Sequence, residues 1–274
     1  MKSMKVFAVG MLRDEAHAAE HLVLHLAAQG LDGALLCDHQ STDGTMEALT
    51  RAKSRLEGSG FQLEVGVARE IGFDQASKVT KLAEYAASTL GATWIVPIDG
   101  DEIWIPSNRS RRVGDLLREV SPTVNVVYGR LTNHWPTGVD DESVTCPFCR
   151  MRWRESRTTS DPKVAFRWET GTRVWAGNHG ADLASGTRAV EGLEVHHFPV
   201  QTWPMFRGKA TKMLVGLRAG NVSPNISANW RSWGEMLEQG REGELRDYYD
   251  RTFFRRDPAR AHCIEDPVPA VEHA

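Results

Sequence analysis

The chain has 274 residues, with 33 lysines and arginines against 36 aspartates and glutamates, a formal net charge of −3, and 41% hydrophobic and 25% charged residues. These proportions exclude a disordered or fibrous chain and leave room for one large domain or two small ones, each able to bury a core. The near-neutral balance argues against a general nucleic-acid binder, which carries a basic excess.

The apolar run at 6–12 is shorter than a signal-peptide core and meets Arg13-Asp14-Glu15 at once. No apolar stretch approaches the roughly 18 residues of a membrane span, so no stable membrane insertion is expected. Four cysteines in a chain of this length make no disulfide framework. The expected location is cytoplasmic, with reduced thiols.

Apolar runs and helical spacing alternate through the first hundred residues. A strand at 5–11 leads to a helix at 15–29, with Ala19, Leu22, Val23 and Leu26 on one face, Asp14 as N-cap and Gly30 as stop. A strand at 33–37 ends at Asp38, and a polar turn, 39–45, precedes a helix at 46–56. A half-buried strand follows at 61–67, then a helix from an Asp74 cap to about Leu90. A buried strand at 94–98 runs into Asp99-Gly100-Asp101-Glu102. This alternation predicts an α/β fold: a mixed, mainly parallel sheet flanked by helices. Ligands in such sheets bind beyond the carboxyl ends of the strands. Three polar clusters fall there: Arg13-Asp14-Glu15, 38–45 and 99–102.

The second half is less regular. Strands are expected at 124–132, 163–168, 173–175 and 193–198, the last ending in His196-His197, with a polar loop over 139–160. Helical spacing covers 202–219, 230–239 and 242–254, giving helical C-terminal additions, and a Pro-rich loose tail is expected over 261–274. No repeat or linker divides the chain. One domain over 1–260 is expected, its second half (106–260) decorating the first (1–105).

Asp99 and Asp101 sit across one small residue at the end of an apolar strand. Such a pair can share a hard divalent cation, or one can hold the metal and the other a sugar hydroxyl. Gly100 would let the backbone turn and a ligand approach closely. The plainer alternative is an Asp-Gly-Asp surface turn. Asp38, at the second strand end, can accept hydrogen bonds from a base or ribose, while Ser41 to Thr45 are accounted for as a helix cap. Gln75 and Lys78 share a helix face that could reach donor base or phosphates, or simply be solvated. Cys146-Pro147-Phe148-Cys149 lacks the further ligands of a zinc site. Arg150 to Arg157 is a local basic run that could meet a phosphate-rich acceptor or lie on an exposed strand.

Arg13-Asp14-Glu15, then Asp38 to Thr45 with its Asp43-Gly44-Thr45, then Asp99-Gly100-Asp101-Glu102 together resemble the GT-A fold glycosyltransferases, in particular the family-two-like branch. Lys163 to Arg167, Gly177-Asn178-His179 and His196-His197-Phe198-Pro199 before an aromatic helix are similar to that branch as well. The likeness runs from about residue 5 to residue 233. Where relatives show His-Trp-Arg, this chain has Asn229-Trp230-Arg231.

The resemblance implies transfer of a hexose or pentose from a nucleotide-diphosphate sugar to an acceptor hydroxyl, inverting and divalent-metal-dependent, with Mn²⁺ or Mg²⁺. It makes 1–105 the nucleotide-sugar-binding half and 106–260 the acceptor side. Asp38 would hold the nucleoside, with Arg13 and Glu15 beside the base or ribose. Gln75 and Lys78 would face the donor, and Asp99, Gly100 and Asp101 would form the D-x-D element. His197 would join Asp101 on the metal, with His196 as its neighbouring alternative. A general base must deprotonate the acceptor; Asp141, with its neighbours Asp140 and Glu142, and His179 are the candidates. The acceptor class stays open, a nucleic acid being less favoured. Two rivals remain: a nucleotide- or carbohydrate-binding protein without catalysis, and a metal-dependent nucleotidyltransferase, for which no Gly- and Lys-rich phosphate loop follows the first strand.

Overall fold

A computed structural model describes residues 4–268, apart from 71, 73, 221, 222 and 224. In chain order the first half gives β1 (Lys5–Leu12), α1 (Ala19–Ala28), β2 (Gly33–Asp38), α2 (Thr45–Arg55), β3 (Gln62–Val67), α3 (Gln75–Ser88), β4 (Ala92–Asp99) and β5 (Glu102–Pro106). There follow α4 (Val113–Glu119), β6 (Val126–Asn133), α5 (Pro147–Arg150), β7 (Trp153–Glu155), β8 (Lys163–Arg167), β9 (Arg173–Val174), β10 (Ala181–Asp182) and β11 (Ala189–His197). The chain closes with α6 (Trp203–Ala219), α7 (Ala228–Glu238), α8 (Glu242–Thr252) and β12 (Cys263–Glu265).

Eight strands form one sheet in the order β3-β2-β1-β4-β8-β6-β11-β5. β1 to β4 are mutually parallel, β8 runs against both β4 and β6, and β11 lies parallel to β6 and antiparallel to β5. The carboxyl ends of β1, β2, β3, β4, β6 and β11 therefore share one edge with the amino ends of β8 and β5. Successive side chains of a strand face opposite ways, and β1 shows it. Val6 and Ala8 pack with Leu22, Val23 and Leu49 under α1 and α2, while Phe7 and Val9 pack with Val79 and Ala83 under α3. A third, aromatic cluster of Trp135, Phe206, Tyr249 and Phe253 roots α6 and α8.

From Asp99 to Glu102 the chain takes three residue steps, a reach of about 10 Å. Four strand spacings in a flat sheet would come to about 19 Å. The sheet therefore curls until its last strand returns beside the end of β4, and the Asp-Gly-Asp turn ties the two. The sequence reading missed β5, a short apolar run behind an acidic turn, and α4, only seven residues long. Because β5 pairs with β11, the expected division at residue 105 runs through a strand of the common sheet.

Two further expectations are corrected. α1 begins at Ala19, not at 15, and Asp14 is no cap. Asp14 takes a left-handed φ of 56°, and the amides of Asp14, Glu15 and Ala16 donate instead to Ser41 Oγ, Thr45 Oγ1 and Asp43 Oδ2. Ser41 to Thr45 thus brace the neighbouring loop; α2 starts at Thr45, with Gly44 as its N-cap and no side-chain cap. The tail is anchored through 268. β12 pairs with β7, Arg152 and Arg154 bond Glu265 and Asp266 at 2.8 and 2.7 Å, and Val268 is buried. The basic run is thereby partly neutralised by the tail, and residues 269–274 lie outside the described residues. Among the described residues no helix is long and apolar enough to cross a membrane.

Candidate active site

A cleft of about 700 Å³ opens at the shared strand edge, walled on its far side by α6. Arg13, Glu15, Gln75, Lys78, Asp99, Gly100, Asp101, His179 and His197 all line it. Residues as far apart in sequence as Arg13 and His197 converge there because the strands end at one edge.

Asp99 is held on every side. Gln75 Nε2 and Asn178 Nδ2 donate to its Oδ1 at 2.7 and 3.1 Å, and Lys163 Nζ donates to Oδ2 at 2.8 Å. Lys163, 3% exposed, also pairs with Glu102 at 2.6 Å and donates to the Gly177 carbonyl at 2.6 Å. Burial alone would lower the Lys163 ammonium, but Asp99 and Glu102 hold its pKa well above the usual lysine value. Burial pushes the Glu102 carboxyl up to about 7 against the pull of Lys163. The Gln75 Oε1 accepts from the Gly177 amide at 3.0 Å. Both ends of that amide face protein groups, so Gln75 positions Asp99 and the 177–179 loop. Lys78 donates to the Gly72 carbonyl at 3.0 Å and stands 3.2 Å from His39 Nε2.

Asp101 is 6% exposed. Its Oδ2 accepts from Lys209 Nζ at 2.6 Å, and its Oδ1 lies 3.7 Å from His197 Nε2. Lys209 and His197 outweigh burial and hold the Asp101 carboxyl well below its usual range. His197 Nδ1 is 2.9 Å from Asn133 Oδ1, and Asn133 Nδ2 in turn donates to Glu155 at 3.4 Å. An amide oxygen only accepts, so Nδ1 carries the proton and Nε2 turns its lone pair toward Asp101 in the neutral ring. His196 points the other way, 1% exposed and 2.7 Å from His134, as strand alternation requires.

A carboxylate oxygen and an imidazole lone pair facing each other make a donor pair for a divalent ion, backed by the hydrogen bond that orients the ring. Among the described residues no cluster of three or more His, Cys, Asp or Glu forms a metal cage. The fit is thus to an ion that takes its remaining ligands from phosphate oxygens, the usual arrangement for Mg²⁺.

Gly100 is needed for close packing. A Cβ there would stand 2.8 Å from Glu15 Cγ and 2.9 Å from Leu12 Cδ2. Burial pushes the Glu15 carboxyl up to about 8, with Lys209 opposing and Asp101, Asp43 and Asp99 adding to the rise. Asp38 lies beneath the cleft floor rather than on it. It is 3% exposed, with Oδ2 accepting from the Ser41 amide at 3.2 Å and Oδ1 buried without a hydrogen-bond partner.

His179 sits on a turn where Gly177 and Asn178 both take left-handed φ, 73° and 61°. A Cβ on Gly177 would lie 2.7 Å from the His179 ring. His179 Nδ1 is 3.1 Å from the Pro162 carbonyl, so it donates and Nε2 carries the lone pair. Burial and Lys163 hold the ring's pKa below 6.5.

Asp141 does not reach the cleft. It is fully exposed, and its Oδ1 accepts from the amide and hydroxyl of Ser143 at 2.9 and 2.6 Å. Nor do Asp140 and Glu142 line the cleft. Arg167 does not line the cleft but stacks 4.5 Å over Trp94. The Cys146–Cys149 segment is core: Phe148 packs against Phe198 with ring centroids 5.1 Å apart.

Among the cleft residues that the sequence reading did not single out are His17, Lys209 and Lys212; Trp230, named there only as a departure from the relatives, lines the cleft too. Burial pushes the His17 imidazole down to about 4. Lys212 pairs with Asp14 at 2.6 Å, and Lys209 Nζ stands 5.3 Å from the Trp230 ring centroid. The available signal was two lysines three apart on the helix after His196-His197-Phe198-Pro199, hence on one helix face.

No family model matches the sequence, and no curated protein matches it. Among solved structures, the chain is similar to the mannosyltransferase PcManGT from Pyrobaculum calidifontis in complex with GDP-Man and Mn²⁺. The two are 14% identical, with 95% of this chain and 79% of that one covered and a TM-score of 0.44. It is also similar to glucosyl-3-phosphoglycerate synthase from Mycobacterium tuberculosis in complex with Mg²⁺ and uridine-diphosphate. There the identity is 15%, the TM-score 0.33, and 47% of this chain and 44% of that one are covered.

Proposed function

We propose that this chain is a GT-A-type glycosyltransferase that moves a sugar from a nucleotide-diphosphate donor to an acceptor hydroxyl. The observation that carries the reading is the meeting of Glu15, Asp99, Asp101 and His197 in one cleft at the strand ends, with Asp101 opposed to His197. Asp38, buried beneath the cleft floor, braces the Ser41 amide rather than touching the donor. Lys78 and Arg13 face the donor side of the cleft.

The reading gives each group a task. The acceptor oxygen attacks the anomeric carbon, the bond from that carbon to the β-phosphate oxygen breaks, and the nucleoside diphosphate leaves with the bonding electrons. His179 Nε2 takes the hydroxyl proton, its lone pair set by the Pro162 carbonyl. Attack from the face opposite the leaving group inverts the anomeric centre. Asp101 and His197 would hold a Mn²⁺ or Mg²⁺ ion, which neutralises the charge that develops on the diphosphate. Lys163 holds Asp99 aimed into the cleft, leaving it to accept from donor hydroxyls.

A thermal-shift panel of UDP, GDP, CDP, dTDP and ADP, each with and without Mn²⁺, tests the reading. One nucleotide should raise the Tm in the presence of the metal, and Asp101→Asn should erase that metal-dependent part. Silence across the whole panel from well-folded protein would end the glycosyltransferase reading.

A further inference from the structure

Lys209 already holds the carboxylate that a metal would need. Its ammonium is 2.6 Å from Asp101 Oδ2, while Oδ1 of the same group faces His197. Asp101 thus already has an ammonium on one oxygen and an imidazole beside the other, with no ion present. A divalent cation arriving alone would stand beside Lys209 with one carboxylate between them, and the two like charges repel. Asp99 offers no relief, because Lys163 already pairs with it at 2.8 Å. A nucleoside diphosphate arriving with the ion brings several negative charges, enough for the metal and the ammonium together. Lys209 also has room to yield. Its side chain is 36% exposed toward the cleft, and the face of Trp230 lies 5.3 Å away, a distance at which a ring attracts an ammonium.

We propose that Lys209 is a positioning residue of the donor site: it occupies Asp101 in the nucleotide-free protein, keeps a divalent ion off Asp101 and His197, and turns to the diphosphate when metal and nucleotide bind together. The inference rests on the donor reading above. It makes the binding of metal and nucleotide strongly interdependent, and by linkage the interdependence is reciprocal.

The test is a Mn²⁺ titration followed by electron paramagnetic resonance, with and without UDP or GDP, on wild type, Lys209→Met and Lys209→Arg. Wild type should bind Mn²⁺ at least about tenfold more tightly with the nucleotide than without it, within the usual range of coupling between sites. Lys209→Met should bind Mn²⁺ alone about tenfold more tightly than wild type and lose most of the coupling; Lys209→Arg should keep it. A folded Lys209→Met protein with wild-type affinity for Mn²⁺ alone overturns the proposal. So does a wild type that binds Mn²⁺ equally with and without nucleotide, a result that requires no variant. If no nucleoside diphosphate binds at all, the donor reading fails, and the comparison of Mn²⁺ alone still decides whether Lys209 guards Asp101.

Discussion

The two halves of the chain bring opposite charges to the cleft. Asp14, Asp99, Asp101 and Glu102 come from the strands and turns of the first half. The ammonium groups that meet them come from the second: Lys212 on Asp14, Lys163 on Asp99 and Glu102, and Lys209 on Asp101. The first half also braces its own loops with short side chains, the amides of residues 14–16 donating to Ser41, Thr45 and Asp43. The second half instead reaches across the sheet with long side chains. A set of acids gathered at one strand edge is costly to bury alone, so the partner half supplies the compensation.

The largest effect should come from the second half's contribution to chemistry. His179→Gln is expected to lower kcat by about 10²–10⁴ with little change in KM. The acid limb of the wild-type pH profile, which falls below pH 6.5 as Nε2 takes a proton, should vanish with it. A loss of less than tenfold would move the base elsewhere. Next comes charge compensation. Lys163→Met leaves Asp99 and Glu102 without their cation and should cost about 3–5 kcal/mol, read by denaturant unfolding. If stability is unchanged, the lysine is not what holds the acids.

In the first half, Gly100→Ala forces a Cβ into Glu15 and Leu12 and should cost about 1–3 kcal/mol. A neutral result would show that the turn relaxes freely. The smallest effect belongs to Glu15. Its folded pKa, about 8, lies above the unfolded carboxylate value. As pH rises between the two, the unfolded chain ionises first, and stability falls until about pH 8. Glu15→Gln escapes that loss and should melt about 2–4 °C above wild type at pH 8.5, with the gap closing toward pH 5. A gap that does not depend on pH would assign the effect to packing.

The first half was the more legible one for a physical reason. Its buried strands are continuous apolar runs that stop at polar residues, so pattern alone located Glu15, Asp99 and Asp101 at strand ends. What pattern could not supply was partnership. Lys209 and Lys212 look like a solvated helix face until the curl of the sheet brings α6 over the cleft. Asp141 looks like an acid near the site until its loop proves to hold it in solvent against Ser143. Strand alternation allowed only one of His196 and His197 into the site, but which one, and its backing by Asn133, needed the pairing of β11 with β6. Gln75 was legible as facing the site, yet its amide turned out to bridge Asp99 and Gly177.

The curl also orders events in time. β5 follows β4 by three residues, yet its hydrogen bonds go to β11, whose residues 193–197 pair with 106–102. The acidic turn can thus be synthesised early but cannot be fixed until some ninety further residues have been made and the last sheet strand has docked. Contacts of such long sequence separation close slowly, because loop entropy is lost before they form. The edge that carries the candidate site is therefore the late seam of folding, and a nascent chain released before β11 would carry the acidic turn of the first half without a closed cleft.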